Sequence, residues 1–243
     1  MLKDAAGKIN GVHAVDTLDG KEYQIKSKVV VNATGVFVDD VMKMDECDTR
    51  RKVRPSQGVH LVVDSKFLGG RSALMIPKTK DGRVLFGVPW HGKVVLGTTD
   101  TPLNEASLEP RALEEEVDFI LDQAGQYLDR KPTRADVLSI FAGLRPLAAP
   151  THADSKKTKE ISRNHKIYRS KSGLLTITGG KWTTYRAMAE DVINQAIVIG
   201  GLSPAECVTK NLRVHGYTKE QFDENDWNCL LYTSPSPRDR QKS

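Results

Sequence analysis

Gly179-Gly180-Lys181-Trp182-Thr183-Thr184-Tyr185-Arg186 gathers an ammonium, two hydroxyls and a pliable backbone at one point of the chain. The apolar run Leu174-Leu175-Thr176-Ile177-Thr178 before it reads as a short buried strand. After it, Tyr185, Met188, Ala189, Val192, Ala196 and Ile199 recur at helical spacing. A strand ends, two glycines turn, and a helix begins. The start of a helix presents unpaired N–H groups and a partial positive charge. That suits a phosphate, or the part of a cofactor ring where negative charge grows during reaction. Taken alone, a Gly-Gly pair before a helix is more simply a turn.

Other residues offer complementary chemistry. Arg145 stands in Gly143-Leu144-Arg145-Pro146-Leu147, read as a loop. Its guanidinium can present two parallel donors to an oxyanion, or can pair with a carboxylate where domains meet. His60 heads the apolar strand His60-Leu61-Val62-Val63. With an ordinary pKa of about 6.5 it can accept a proton near neutrality, or it can simply hold a strand end. Thr98 lies in Gly97-Thr98-Thr99-Asp100, where a hydroxyl donates without adding charge. Thr99 and Asp100 read equally well as a turn held by its own side chains. No metal-ligand spacing is visible.

The motifs gain weight from their order. Val29-Val30-Val31-Asn32-Ala33-Thr34-Gly35, then Val53–His60, Val94–Pro102, Gly143–Leu147 and Gly179–Thr184 follow one another. Together they resemble the FAD-dependent glycerol-3-phosphate dehydrogenases of the glycine oxidase/D-amino-acid oxidase flavoprotein superfamily, from about Gly11 to about Tyr217. The resemblance implies FAD as cofactor, with Ala33, Thr34, Gly35, Gly179, Gly180, Lys181, Trp182, Thr183 and Thr184 around it. It implies that Thr98, Arg145, Arg163 and Lys181 bind substrate, and that His60, Arg145 and Lys181 serve catalysis. Arg163, in Ser162-Arg163-Asn164-His165, matches a second phosphate ligand of the family.

The family pattern opens with a Gly-x-Gly-x-x-Gly strand–turn–helix that cradles the FAD pyrophosphate. The sequence contains no such loop, so a portion N-terminal to Met1 is expected. Leu230–Ser243 is polar, has two Ser-Pro steps and no periodicity, and matches nothing in the family. It reads as an artefactual or disordered tail.

Composition sets few limits. The apolar share of 39% can build a core, and the charged share of 28% is ordinary. The net charge is +5, of which +2 comes from Arg238, Arg240 and Lys242 against Asp239. The remainder gives no case for nucleic acid. Lys156, Lys157, Lys159, Arg163, Lys166, Arg169 and Lys171 form a local basic run. It reads as a solvated loop or as an anion funnel; its Lys156–Lys166 part has no aromatic residue to stack on bases. Cys47, Cys207 and Cys229 suggest no disulfide framework and fit a reducing compartment.

The expected fold class is α/β (α+β): a partial Rossmann-like FAD-binding domain with an inserted antiparallel-sheet substrate domain. Residues 1–47 and 141–201 belong to the first, with a hairpin at Asp19-Gly20. Residues 48–140 form the second, from strands Val59–Val63, Ala73–Ile76, Val84–Val88 and Val94–Gly97 and a helix from Pro110 to about Leu128. Glu114, Glu115 and Glu116 in its first turns are read as solvated. Residues 202–229 read as a linker toward a further region.

The resemblance thus implies oxidation of sn-glycerol 3-phosphate to dihydroxyacetone phosphate, with FAD accepting the hydride and a quinone or other acceptor taking the electrons. It also implies a location in the cytoplasm or peripherally on the cytoplasmic face of the inner membrane. The rival readings are another amino-acid or amine oxidase of the superfamily, and a non-catalytic anion-binding fragment.

Overall fold

The computed structural model describes residues 1–46, 50–149 and 164–217. Residues 1–204 make one compact unit. Among residues 205–217 there is no helix or strand.

The unit is built on three sheets. β1 (Leu2–Lys3), β2 (Ile9–Val15) and β3 (Glu22–Lys26) form an antiparallel meander. The β2–β3 hairpin closes around Asp19-Gly20 as its sequence requires, with Asp16 N–H donating to the Lys21 carbonyl at 2.8 Å. β4 (Val31–Asn32) follows, then a 3-10 turn at Gly35–Phe37 and helix α1 (Val38–Lys43).

The largest sheet has six strands: β5 (Val53–Asp64), β6 (Leu74–Ile76), β7 (Leu85–Trp90), β8 (Lys93–Gly97), β9 (Thr101–Pro102) and, after helix α2 (Glu114–Ala124), β10 (Ser139–Ala148). Their order is β10-β5-β8-β7-β6, with β9 on β5. Alternation along β5 sends Val59, Leu61 and Val63 to one face. There they pack with Leu85, Val94 and Leu96 of the sheet and with Val117, Ile120, Leu121 and Ala124 of α2. The opposite face carries Gly58, His60, Gly97, Phe141 and Arg145, set by the register His60↔Gly97, His60↔Phe141 and Gly58↔Gly143.

The third sheet is β11 (Lys166–Arg169), β12 (Leu175–Thr178) and β4. β12 runs parallel to β4, with Thr176 beside Asn32. Helix α3 (Tyr185–Gly200) follows and covers this sheet with Val192 and Ala196.

Two expectations need correction. Gly143–Leu147 is not a loop but the middle of β10, because ten consecutive residues pair with β5. Pro146 is tolerated inside the strand because it faces Pro55, and neither donates. The helix expected from Pro110 begins at Glu114, since Glu116 Oε2 accepts the Leu113 N–H at 2.9 Å and caps the helix there. Among the described residues no helix is long and apolar enough to cross a membrane.

Candidate functional site

Arg145 is fixed by the turn between β8 and β9. One Nη donates to the Thr99 carbonyl at 3.0 Å and the other to Thr98 Oγ1 at 2.9 Å. Asp100 Oδ1 lies 3.7 Å away, and the Ser56 hydroxyl donates to that same carboxylate. The alternative expected for this arginine, pairing with a carboxylate, is thus present in the nearby Asp100.

His60 lies two residues beyond Gly58, on the same face of β5. Its ring stacks on Phe141 at 5.0 Å with 10° between planes. On the other side it covers Gly97, where an added Cβ would come within 2.3 Å of its Cδ2. Burial pushes its imidazole below the ordinary value, and the positive charge of Arg145 adds to this. Both effects favour the neutral ring, the form that accepts a proton. His60 and Phe141 wall a depression of about 590 Å³ that Val88, Trp90 and Val95 also line.

Behind the turn lies a residue whose role the sequence reading missed. Glu116 is only 3% exposed, where a solvated carboxylate was expected. Its Oε1 accepts the hydroxyls of Thr99 at 2.9 Å and Thr101 at 2.6 Å. Its Oε2 accepts the Gln57 amide at 2.6 Å and the Leu113 N–H. Burial raises its pKa, but the Leu113 N–H and the Thr101, Gln57 and Thr99 donors outweigh that and hold it low. Its partners lie far apart in sequence, so only the folded sheet could reveal it.

A second cluster sits at the carboxyl ends of the parallel pair β4–β12, the place where open α/β sheets take ligands. Asn32, 2% exposed, ends β4. Its amide nitrogen donates to the Val38 carbonyl at 2.9 Å and to Thr176 Oγ1 at 3.3 Å, and its oxygen accepts the Thr34 hydroxyl at 2.7 Å. This fixes the Ala33-Thr34-Gly35 turn, whose Gly35 has φ +61°. Beyond β12, Gly179 and Gly180 hold φ values of +79° and +73°, which only glycine adopts easily. Lys181 then starts a 3-10 turn, Trp182–Thr184, leading into α3. The Thr184 hydroxyl accepts the Lys181 N–H at 3.0 Å. Lys181, Thr183 and Thr184 are exposed, and Trp182 is 88% exposed.

The chemistry of this cluster fits a flavin nucleotide. Two turns with glycines at positive φ, Gly35 in one and Gly179-Gly180 in the other, flank the ends of a parallel pair, and a helix start follows each of them. Thr178 Oγ1, at the same end of β12, is buried without a hydrogen-bond partner among the described residues. The two clusters adjoin: the Gly35–Phe37 turn packs on β5 and β10, and a Cβ on Gly179 would touch Ala148 at the end of β10. His60, Thr98 and Arg145 therefore share one surface, and Ala33–Gly35 and Gly179–Thr184 share another beside it. Arg163 lies outside the described residues. Among the described residues no cluster of His, Cys, Asp or Glu could hold a metal.

Residues 2–186 match the family model described as FAD dependent oxidoreductase. The chain belongs to that family. It is 47% identical to the mitochondrial glycerol-3-phosphate dehydrogenase of Arabidopsis thaliana over 88% of the chain and 34% of that protein. It is 41% identical to the mitochondrial enzyme of the same name from Homo sapiens, over 93% of the chain and 30% of that protein. The glycerol-3-phosphate dehydrogenase of Bacillus halodurans, solved with FAD, superimposes with a TM-score of 0.71 at 37% identity, over 84% of the chain and 38% of that structure. The chain thus spans about a third of these relatives. The FAD dependent oxidoreductase fold accounts for the pairing of a Rossmann-like β4–β12 sheet with a six-stranded antiparallel one.

Proposed function

We propose that this chain forms the substrate-binding surface and part of the cofactor site of an FAD-dependent glycerol-3-phosphate dehydrogenase. The observation that carries the reading is the pairing of Arg145, anchored to Thr98 and Thr99, with the half-buried His60 on one face of β5 and β10. The likeness to relatives named as glycerol-3-phosphate dehydrogenases supports it.

In this reading Arg145 and the Thr98 hydroxyl bind the phosphate of sn-glycerol 3-phosphate, joined by Arg163. Lys181, carried by the Gly179-Gly180 turn, stabilises negative charge at the carbinol oxygen. His60 takes the hydroxyl proton on an imidazole nitrogen as the ketone of dihydroxyacetone phosphate forms. Bound FAD supplies the hydride acceptor for the carbinol C–H. Ala33, Thr34 and Gly35, and the backbone from Gly179 to Thr184, would hold it. A quinone or another acceptor would take the electrons from the whole enzyme.

The domain division also belongs to this reading: residues 48–140 as a substrate domain inserted between two cofactor-domain segments, 1–47 and 141–201. The plant and human relatives are named as mitochondrial, which favours a mitochondrial location over the one expected from the sequence, in the cytoplasm or on the cytoplasmic face of the inner membrane.

The test is turnover. FAD-reconstituted full-length protein should reduce a dye acceptor with sn-glycerol 3-phosphate and not with glycine or sarcosine. Turnover of the amino acids instead would assign it to the amine-oxidising side of the superfamily. Binding of phosphate with no turnover of either would leave an anion-binding role.

A further inference from the structure

We infer that Glu116 is a positioning residue for Arg145, acting through Thr99. This rests on the proposed role of Arg145 as a phosphate ligand. The guanidinium donates to the Thr98-Thr99 turn, at the Thr98 hydroxyl and the Thr99 carbonyl. That turn is held from behind. The Thr99 hydroxyl donates to Glu116 Oε1 at 2.9 Å and accepts the Val59 N–H at 3.0 Å. Thr101, just past the turn, donates to the same oxygen at 2.6 Å.

The carboxylate thus ties three elements together. It sits at the start of α2, where the helix dipole favours negative charge. Gln57 of β5 and the hydroxyls beyond β8 converge on it, and β5 is the strand along which Arg145 lies. A planar two-donor contact with phosphate tolerates little displacement, so the turn's position sets its quality.

Neutral glutamine at position 116 cannot reproduce the arrangement. Its single carbonyl oxygen is drawn to the two N–H donors, Gln57 and Leu113. Its amide nitrogen then faces the Thr99 and Thr101 hydroxyls, which must turn from donors into acceptors. Thr99 Oγ1 already accepts from Val59, and its link to residue 116 loses its charge assistance.

The experiment is a double-mutant cycle in the FAD-loaded full-length protein, read as the Kd for sn-glycerol 3-phosphate and as kcat and KM. Glu116→Gln should weaken phosphate-substrate affinity about fivefold, the effect of one displaced hydrogen bond, and change kcat less than twofold. In an Arg145→Lys background the same change should add less than twofold. Thr99→Val should copy Glu116→Gln, and Thr99→Ser should return affinity to within twofold of the unaltered protein. If the Glu116 variant does not fold, Thr99→Val with Arg145→Lys completes the cycle.

Fully additive losses, or equal losses for sn-glycerol 3-phosphate and glycerol, would make Glu116 a structural residue and overturn the inference while leaving the phosphate reading standing. No loss from Arg145→Lys alone would overturn the phosphate reading, and the inference with it.

Discussion

The Arg145 guanidinium fills the space that a side chain on Gly58 would occupy. A Cβ added to Gly58 would lie 2.3 Å from one Nη, 2.6 Å from Cζ and 2.7 Å from the other Nη. Gly58 has no positive φ, so alanine suits its backbone and the conflict falls on the arginine. Gly58→Ala should therefore raise KM for sn-glycerol 3-phosphate about tenfold to a hundredfold, since displacing a binding group by about an ångström has effects of that order. Thermal unfolding should move little. A large loss of stability with unchanged KM would show that the sheet yields instead.

Arg145→Lys keeps the charge and removes the planar fork. A lost charge-assisted hydrogen bond costs about 1.5–3 kcal/mol, or roughly tenfold to a hundredfold in kcat/KM. The loss should appear with sn-glycerol 3-phosphate and be much smaller with glycerol, which has no phosphate to hold. Steady-state kinetics on both compounds checks this. Equal losses would place Arg145 in the support of the fold or the flavin.

His60 is held below its ordinary value, first by burial and then by Arg145. As pH falls, the unfolded chain takes up this proton before the folded protein does. Its contribution to stability is therefore complete above about pH 6.5 and declines as pH drops through the window beneath, so stability rises with pH there. An NMR titration of the His60 ring, assigned by His60→Gln, should give a midpoint below about 6.5. Arg145→Gln should move that midpoint upward. A midpoint at or above the ordinary value would show the ring to be solvated.

Asn32→Ala would strip partners from the Val38 carbonyl and the hydroxyls of Thr34 and Thr176. Val38 and Thr176 are buried, and leaving their groups unpaired costs about 1–3 kcal/mol, whereas the hydroxyl of exposed Thr34 can turn to water. Urea unfolding should show a lower midpoint with an unchanged slope. A change under about 0.5 kcal/mol would mean that water replaces the amide.

Local patterns were readable in the sequence where local forces decide the structure. The Asp19-Gly20 hairpin, the Gly179-Gly180 turn and the apolar stripe of α3 all follow from residues near one another. Strands Val59–Val63 and Val94–Gly97 were legible from their β-branched runs, and Thr98 from its turn; His60, read as the head of a strand, lies inside β5 because the pairing with β10 extends that strand back to Val53. What failed was non-local. Nothing near Arg145 announces a strand; the ten-residue pairing with Val53–Val62 makes one. Glu116 looked like one of three surface carboxylates, because Gln57, Thr99 and Thr101 reach it only through the sheet. Asn32 hid for the same reason, since its partner Thr176 lies on a strand far along the chain.

Pro55 and Pro146 stand opposite each other in β5 and β10. The Pro55 carbonyl accepts from Leu103 N–H, so the polar edge of that residue points away from β10. In this alignment the absent proline N–H groups forfeit no bond between the two strands. Sliding β10 by one residue would turn Pro146 to where a donor is required, and would swing Arg145 and Phe141 into the apolar core. The two imino acids thus act as a proofreader of strand alignment. A misthreaded chain is penalised at Pro146 before any ligand is met, and only the correctly threaded one delivers the arginine to its station.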